Sequence, residues 1–160
     1  MASTHVVLAT DGSEPSLAAA GLVRDLVNST ALAGISVLAV VAPIEQIPFY
    51  GAFATFGGGT VSQAVWDEMS AEAERSAQEA IRRTVAELHA TVPVESVVRH
   101  GQPPAEIVRY AEEIGAGLIV MGSRGWGELH AALVGSVSER VLHTAHCPVM
   151  IARSTPAHAA

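Results

Sequence analysis

The chain has 160 residues, of which 49% are hydrophobic and 16% charged, and its formal net charge is −7 at pH 7. This composition excludes a chain that is disordered throughout, and it argues against a general nucleic-acid binder, which needs a basic face. A single cysteine excludes a disulfide within the chain, and the longest apolar run is too short to span a bilayer. The first residues do not indicate a signal peptide, so we expect a cytoplasmic protein.

The first third of the chain predicts a strand, a helix and a second strand. Residues 5–10 are apolar and β-branched and end at Asp11-Gly12-Ser13, a turn after which Ser13 would cap a helix. The predicted helix carries four apolar side chains on one face, Ala19, Leu22, Val23 and Leu26. Ala33-Gly34 would break it, and residues 35–41 predict a strand that is buried on both faces, as in a parallel sheet.

Residues 43–59 are the least regular part of the chain and are predicted to form a flexible loop. The segment carries four aromatic side chains, Phe49, Tyr50, Phe53 and Phe56, and it ends in three glycines. It is either a plain surface loop or a loop that closes over a ligand or docks a partner, since exposed aromatic side chains in a long loop often serve recognition. The sequence leaves both interpretations open.

The rest of the chain alternates further helices and strands. Thr60 and Gln63 have the spacing of a capping box that opens a long amphipathic helix. Its predicted buried stripe is Val65, Met69, Ala73, Ala77, Ile81, Val85 and Leu88. Residues 93–99 alternate polar and apolar side chains, which is typical of an edge strand. A helix from about Pro103, a strand over 117–121, a helix over 137–145 and a strand over 147–152 follow, and residues 154–160 are predicted to be a disordered tail.

Five strands that alternate with four helices predict an α/β fold, a flavodoxin-like (Rossmann-like) doubly wound parallel sheet within one domain over residues 1–153. The expected strand order is 3-2-1-4-5, with helices on both faces. Ligands of such sheets bind outside the carboxyl ends of the strands where the strand order reverses, here between strands one and four. Asp11 and Gly122 end those two strands. We therefore expect them to face each other across one crevice.

The fourth strand leads into a loop that carries three glycines, Gly122, Gly125 and Gly135. Ser136 and Glu139 have capping-box spacing and predict that a helix opens there, with unpaired amides and a dipole that favour a phosphate. Glycine lets the backbone approach a ligand closely, and the hydroxyls of Ser136 and Ser138 would add donors. All nine basic residues are arginines, which excludes a Walker A loop. The alternative is that the glycines serve turns alone.

With Asp11 and the spacing Gly122-x2-Gly125-x9-Gly135-Ser136, the chain closely resembles the universal stress protein family over nearly its whole length. The resemblance extends to four further segments: 7–13, 101–114, 118–125 and 135–142. The ending His146-Cys147-Pro148-Val149 also looks like that of the family. In the family the complete glycine–serine motif marks the branch that binds ATP.

The resemblance implies a role for each matching residue. Asp11 would contact the ribose side of the nucleotide, and the backbone at Val40 would read the adenine edge. Gly122 and Gly125, with Arg124 between them, would line the ribose and the phosphates. The phosphate oxygens would be held at the helix start, by Gly135, Ser136 and Val137.

Little in the sequence indicates catalysis or a metal site. Only Asp11 offers a carboxylate near the expected phosphates, so Mg²⁺ would be held mainly by ATP and water, and we expect binding with at most slow hydrolysis. The cluster His143-x2-His146-Cys147 lacks an evident fourth ligand, and we interpret it as structural. The last strand has no charge to protect its edge, and the family resemblance implies the same pairing, a homodimer through Val149, Met150 and Ile151.

The sequence thus predicts an ATP-binding universal stress protein that acts as a nucleotide-responsive regulator of the stress response. Three alternatives remain open at this point. One is a slow ATP-hydrolysing enzyme of the same superfamily, and another is a protein that prefers AMP or a cyclic nucleotide. The third is a module for protein interaction in which the glycine loop has no ligand.

Overall fold

The computed structural model describes residues 4–29, 32–43, 62–123 and 135–153. In these ranges strands and helices alternate along the chain: β1 (Thr4–Ala9), α1 (Glu14–Ser29), β2 (Leu32–Val41), α2 (Gln63–Leu88), β3 (Val94–His100), α3 (Pro103–Glu113), β4 (Leu118–Gly122), α4 (Ser136–Thr144) and β5 (Val149–Ala152). Neighbouring strands are all parallel, in the order β3-β2-β1-β4-β5. This confirms the predicted flavodoxin-like sheet. No helix in these ranges has both the length and the apolar character of a membrane span.

The sheet separates two hydrophobic cores because successive side chains of a strand point to opposite faces. On one face, Val6 and Leu8 of β1 belong to the same buried cluster as Val23 of α1 and Ile81 of α2. On the other face, Val7 lies in a second cluster with residues of α3 and α4. The strand β2 contributes to both cores and is buried throughout residues 35–39, as its apolar sequence predicts.

The two edges of the sheet are β3 and β5. The prediction of an edge position for the polar third strand is confirmed, and its residues Glu95 and Ser96 are exposed. At the other edge, β5 pairs with β4 through a parallel register that begins at Ile119 and Val149. The predicted loop over 43–59 lies outside the described residues except for Pro43, and so does the predicted tail over 154–160.

The faces of the two long helices were predicted only in part. The helix α1 buries Ala19, Ala20 and Val23, whereas Leu22 is 39% exposed. The helix α2 is about 39 Å long at about 1.5 Å per residue, and its buried positions begin at Ala77. Val65 in its first turn is 44% exposed, so the predicted apolar stripe is wrong at this end.

Two predicted boundaries differ from the structure. The strand β2 begins at Leu32 rather than at residue 35, because its first residues already pair with the start of β1 through Thr4 and Leu32. The helix α2 is preceded by Ser62 as its N-cap residue, so the capping box predicted from Thr60 is shifted by two positions. The Ser62 side chain makes no capping hydrogen bond.

Candidate functional site

A cavity of about 230 Å³ lies at the carboxyl ends of β1 and β4, the point at which the strand order reverses. Its apolar lining includes Leu38, Val40, Ile107 and Met121. Its polar lining includes Thr10, Asp11, Ser16 and Ser138. The cavity therefore offers a ligand both apolar contacts and a few polar groups.

The structure brings half of the eight predicted binding residues to this cavity. Four of them line it, namely Asp11, Val40, Gly122 and Val137. Ser136 lines an adjoining groove that shares Val137 with the cavity, and Gly135 directly precedes it in the chain. The remaining two, Arg124 and Gly125, lie outside the described residues.

Asp11 lies in the short loop between β1 and α1, where hydrogen bonds hold its carboxylate. The backbone N–H of Ser13 donates to Asp11 Oδ1 at 3.0 Å, and the Ser13 hydroxyl donates to the same oxygen at 2.6 Å. The Ser13 carbonyl accepts from the N–H of Leu17 at 2.9 Å, as that of an N-cap residue does. Ser13 thus occupies the predicted capping position, but its described side-chain bond goes to Asp11.

Gly122 is required by the packing of β4 against α1. A Cβ at this position would lie 2.6 Å from the carbonyl carbon of Pro15 and 2.7 Å from the nitrogen of Ser16. These are backbone atoms of the first turn of α1, so they can move only if the whole helix moves. The end of β4 approaches α1 this closely because glycine has no side chain. The sequence indicated the glycine but not this contact.

The start of α4 corrects the predicted capping box. Gly135 is the N-cap residue, its N–H donates to the carbonyl of Ser123 at 2.6 Å, and as a glycine it has no side chain that could cap the helix. Ser136 is the first helical residue, so its hydroxyl does not cap. The Ser138 hydroxyl is buried and donates to the carbonyl of Gly122 at 2.9 Å, which ties the helix to the end of β4. Amides of an uncapped first turn are what an anion needs.

Two residues that sequence reasoning missed also line the cavity. Thr10 and Ser16 are both buried, and the Thr10 hydroxyl donates to Ser16 Oγ at 3.1 Å. A hydroxyl at the end of an apolar strand, next to Asp11, was the available signal for Thr10. Nothing in the spacing of Ser16 distinguishes it from an ordinary residue in the first turn of a helix.

The cluster of His143, His146 and Cys147 has a structural explanation. His146 is exposed and its Nδ1 pairs with the carboxylate of Glu112 on α3. Cys147 is partly buried, and this burial raises the pKa of its thiol above the ordinary value. Within the described ranges no group of three or more His, Cys, Asp or Glu side chains is arranged to hold a metal ion.

Comparison with known proteins gives the family. The model of the universal stress protein family matches residues 3–153. The chain belongs to this family. Universal stress protein MJ0531 of Methanocaldococcus jannaschii is 34% identical to it over 150 residues, which are 92% of this chain and 81% of that protein.

Solved structures share the fold over almost the whole chain. The structure of the hypothetical protein MJ0577 has a TM-score of 0.69 at 25% identity and is matched over 96% of this chain and 97% of that one. A universal stress protein in complex with cAMP has a TM-score of 0.59 at 24% identity, with 97% and 100% of the two chains covered. A family member from Arabidopsis thaliana with AMP bound has a TM-score of 0.64 at 19% identity, with 96% and 93% covered.

Proposed function

We propose that this universal stress protein binds an adenine nucleotide, with ATP as the first candidate, in the cavity between β1 and β4, and acts as a nucleotide-responsive regulator in the cytoplasm. The observation that carries the proposal is the juxtaposition of apolar lining residues with the start of α4, whose N-cap residue is a glycine, at the topological switch point. Ligands of doubly wound sheets bind at that point.

The apolar lining accounts for the base. Leu38 and Val40 of β2, with Ile107 of α3, form a surface against which the flat face of a purine would be removed from water. The backbone at Val40, near the end of β2, is where the edge of the base would be read. Asp11 belongs to the polar lining of the cavity, at the position proposed for a ribose hydroxyl.

The start of α4 accounts for the phosphates. Ser136 and Val137 open a helix whose N-cap residue, Gly135, has no side chain to cap it, and the helix dipole favours negative charge there. Asp11 is the only carboxylate among the described residues that line the cavity. Mg²⁺ would therefore be held mainly by phosphate oxygens and water, and we propose at most slow hydrolysis for the same shortage of acidic groups.

AMP or a cyclic nucleotide is the second candidate ligand. Two proteins of the same fold have been solved with cAMP and with AMP, so the fold accommodates an adenine nucleotide with a single phosphate. The number of phosphates that can bind depends on the region beside the start of α4.

We further propose a homodimer formed through β5. Among the described strands β4 is its only neighbour, and Val149, Met150 and Ile151 are partly buried. Pairing with the same edge of a second chain would satisfy the open backbone groups by a two-fold axis. Light scattering at micromolar concentration would give the mass of a dimer, and a monomer mass would contradict the proposal.

The test measures which nucleotide binds and where. Nucleotides released by denaturing fresh protein are identified by chromatography, and stripped protein is then titrated with ATP, ADP, AMP and cAMP. Val40→Phe enlarges a residue of the apolar lining and lowers the affinity about tenfold or more, and Asp11→Asn removes the charge proposed to face the ribose and weakens binding as well. Val65→Phe and Asp25→Asn, on exposed parts of α2 and α1, are matched controls.

Binding that is lost in the two cavity variants and retained in the two controls would support the proposal. A folded wild-type protein that binds none of the four nucleotides would overturn it. Multiple-turnover ATP hydrolysis that disappears in Asp11→Asn would instead show an enzyme.

A further inference from the structure

The loop that carries Asp11 is attached to α2 by two side chains that do not line the cavity. The hydroxyl of Thr84 is fully buried and lies 2.7 Å from Thr10 Oγ1 and 2.7 Å from the carbonyl oxygen of Ala80. One position earlier in α2, Arg83 donates from Nη1 to the carbonyl of Gly12 at 3.0 Å. Both contacts join positions more than 70 residues apart in the chain.

A row of buried hydroxyls continues from α2 to the wall of the cavity. Thr10 donates to Ser16 at 3.1 Å, and Ser16 donates to the carbonyl of Ser13 at 2.8 Å. The N–H of Gly12 donates back to Thr10 Oγ1 at 3.1 Å. Since Thr10 and Ser16 both line the cavity, Thr84 is one hydrogen bond away from a ligand-facing residue.

The loop that carries Asp11 also packs closely against α2 at Gly12. Gly12 has a φ of +77°, a left-handed conformation that glycine adopts without strain. A Cβ on Gly12 would lie 3.1 Å from Cβ and 3.2 Å from Cα of Ala80. The loop therefore rests directly on the helix, and a displacement of α2 at this level displaces the backbone on both sides of Asp11.

We propose that Arg83 and Thr84 are positioning residues for the nucleotide site, and that nucleotide binding is coupled to the order of the second half of α2. The proposal rests on the proposed function, since it concerns the same cavity. A ligand that fixes Asp11 would also fix Gly12 and Thr10, and through them the turn of α2 from Ala80 to Thr84. Coupling of this kind is reciprocal. A change that loosens α2 must therefore lower the affinity for the nucleotide by the same factor by which the nucleotide favours the ordered helix.

Two substitutions at Thr84 separate positioning from mere stability. Thr84→Val keeps the shape and removes the hydroxyl, whereas Thr84→Ser keeps the hydroxyl and leaves a small void. We expect Thr84→Val to lower the affinity for ATP, or for whichever of the four nucleotides the wild type binds, by about fivefold to tenfold. We expect Thr84→Ser to bind as the wild type does, although it loses stability. A purely structural role predicts that affinity follows stability in both variants.

Adjacent arginines give a matched pair for the second contact. Arg83→Gln removes the guanidinium that donates to the carbonyl of Gly12. We expect it to lower the affinity for the nucleotide, as Thr84→Val does. Arg82→Gln changes an exposed side chain one position away, whose partner is Glu79, and we expect no change in affinity. Equal effects of the two substitutions would show that only the charge of the helix matters, and would overturn the positioning role.

Amide hydrogen exchange provides a readout that does not depend on affinity alone. In the wild type we expect nucleotide to slow exchange in residues 77–88, and in Thr84→Val at saturating nucleotide we expect this protection to be absent. A wild type that binds nucleotide with unchanged exchange in α2, or variants that bind as the wild type does, would overturn the coupling and leave the proposed function intact. A wild type that binds no nucleotide would overturn both.

Discussion

Two polar clusters lie at opposite ends of the same sheet and differ in what they face. The hydroxyl cluster, Thr10, Ser16 and Thr84, lies at the carboxyl ends of the strands and borders the cavity. The tyrosine cluster, His5, Ser36, Glu95 and Tyr110, lies towards their amino ends. In it the Tyr110 hydroxyl lies 3.0 Å from Ser36 Oγ and 3.3 Å from Glu95 Oε2, and His5 Nε2 lies 2.9 Å from Ser36 Oγ.

The tyrosine cluster is buried at Ser36 and Tyr110 and exposed at Glu95, and none of its members lines the cavity. Ser36 is fully buried, Tyr110 is 5% exposed, and the guanidinium of Arg99 lies 5.0 Å from the centre of the tyrosine ring. Among the described residues no buried side-chain nitrogen or oxygen lacks a hydrogen-bond partner. A polar group inside a sheet needs such a partner. Protein supplies partners in both clusters, so what distinguishes the hydroxyl cluster is the cavity that two of its members line.

The largest expected effect on stability is at the carboxyl ends of the strands, beside the cavity, and comes from Gly122→Ala. The new methyl group would lie 2.6 Å from the backbone of Pro15, so α1 must shift and stability falls by about 3 kcal/mol. Nucleotide binding is lost with it, because the same shift moves the Asp11 loop. Gly21→Ala is the control, since its methyl group meets nothing closer than Arg24 Nη2 at 3.7 Å and helix propensity favours alanine by up to about 1 kcal/mol. Chemical denaturation measures the stability of both variants. Equal stabilities of Gly122→Ala and Gly21→Ala would contradict the close contact of Gly122 with Pro15.

A smaller effect on stability is expected in the tyrosine cluster, from Tyr110→Phe. The substitution removes one hydroxyl and leaves Ser36 bonded to His5, so stability falls by about 1 kcal/mol. The nucleotide affinity stays unchanged, in contrast to Thr84→Val, because the tyrosine cluster does not reach the cavity. Urea denaturation and nucleotide titration on the same preparation check both statements. A loss of affinity in Tyr110→Phe would break the distinction between the two clusters.

The smallest effect is the dependence of stability on pH. Burial raises the pKa of the Tyr110 phenol above its ordinary value of 10.0, and the Glu95 carboxylate acts in the same direction, while the hydrogen bond with Ser36 opposes them. Above about pH 10 the unfolded chain loses this proton while the native protein keeps it, so native stability decreases as pH rises.

Comparison with Tyr110→Phe isolates that part of the pH dependence. All other titrating groups are shared, so the stability advantage of the wild type over the variant is full below about pH 10 and declines above it. Denaturation curves at several pH values from about 8 to about 11 measure the difference. A difference that stays constant, or grows with pH, would mean that Tyr110 is not shielded from water as the structure shows.

Most of the fold followed from sequence because the apolar pattern reports burial, and because right-handed crossovers between parallel strands restrict the strand order. The run over 35–39 is buried on both faces, and the polar third strand is at an edge, as predicted. The faces of the helices were less predictable. Leu22 and Val65 fit a helical stripe but lie exposed, since a stripe in the sequence does not tell how far a neighbouring element extends along the helix.

The site was predictable where topology alone positions residues. Asp11 and Gly122 meet because the carboxyl ends of adjacent parallel strands share one edge of the sheet. Thr84 was not predictable as a partner of Thr10, because 74 positions separate them and each is an ordinary polar residue in its own element. The capping role assigned to Ser136 was wrong by one residue, since the buried bond of Ser138 to β4 fixes where the helix begins.

The contact between Gly12 and Ala80 has a consequence for how sequences of this kind diverge. Any side chain at position 12 meets both a left-handed backbone and the surface of α2, and any larger side chain at position 80 presses on the loop beside Asp11. A larger side chain at either position would need a smaller one at the other. Glycine at position 12 is already the smallest residue, so it cannot make room for a larger side chain at position 80. In lineages that keep this loop we therefore expect both positions to stay small, while the exposed first half of the same helix drifts freely.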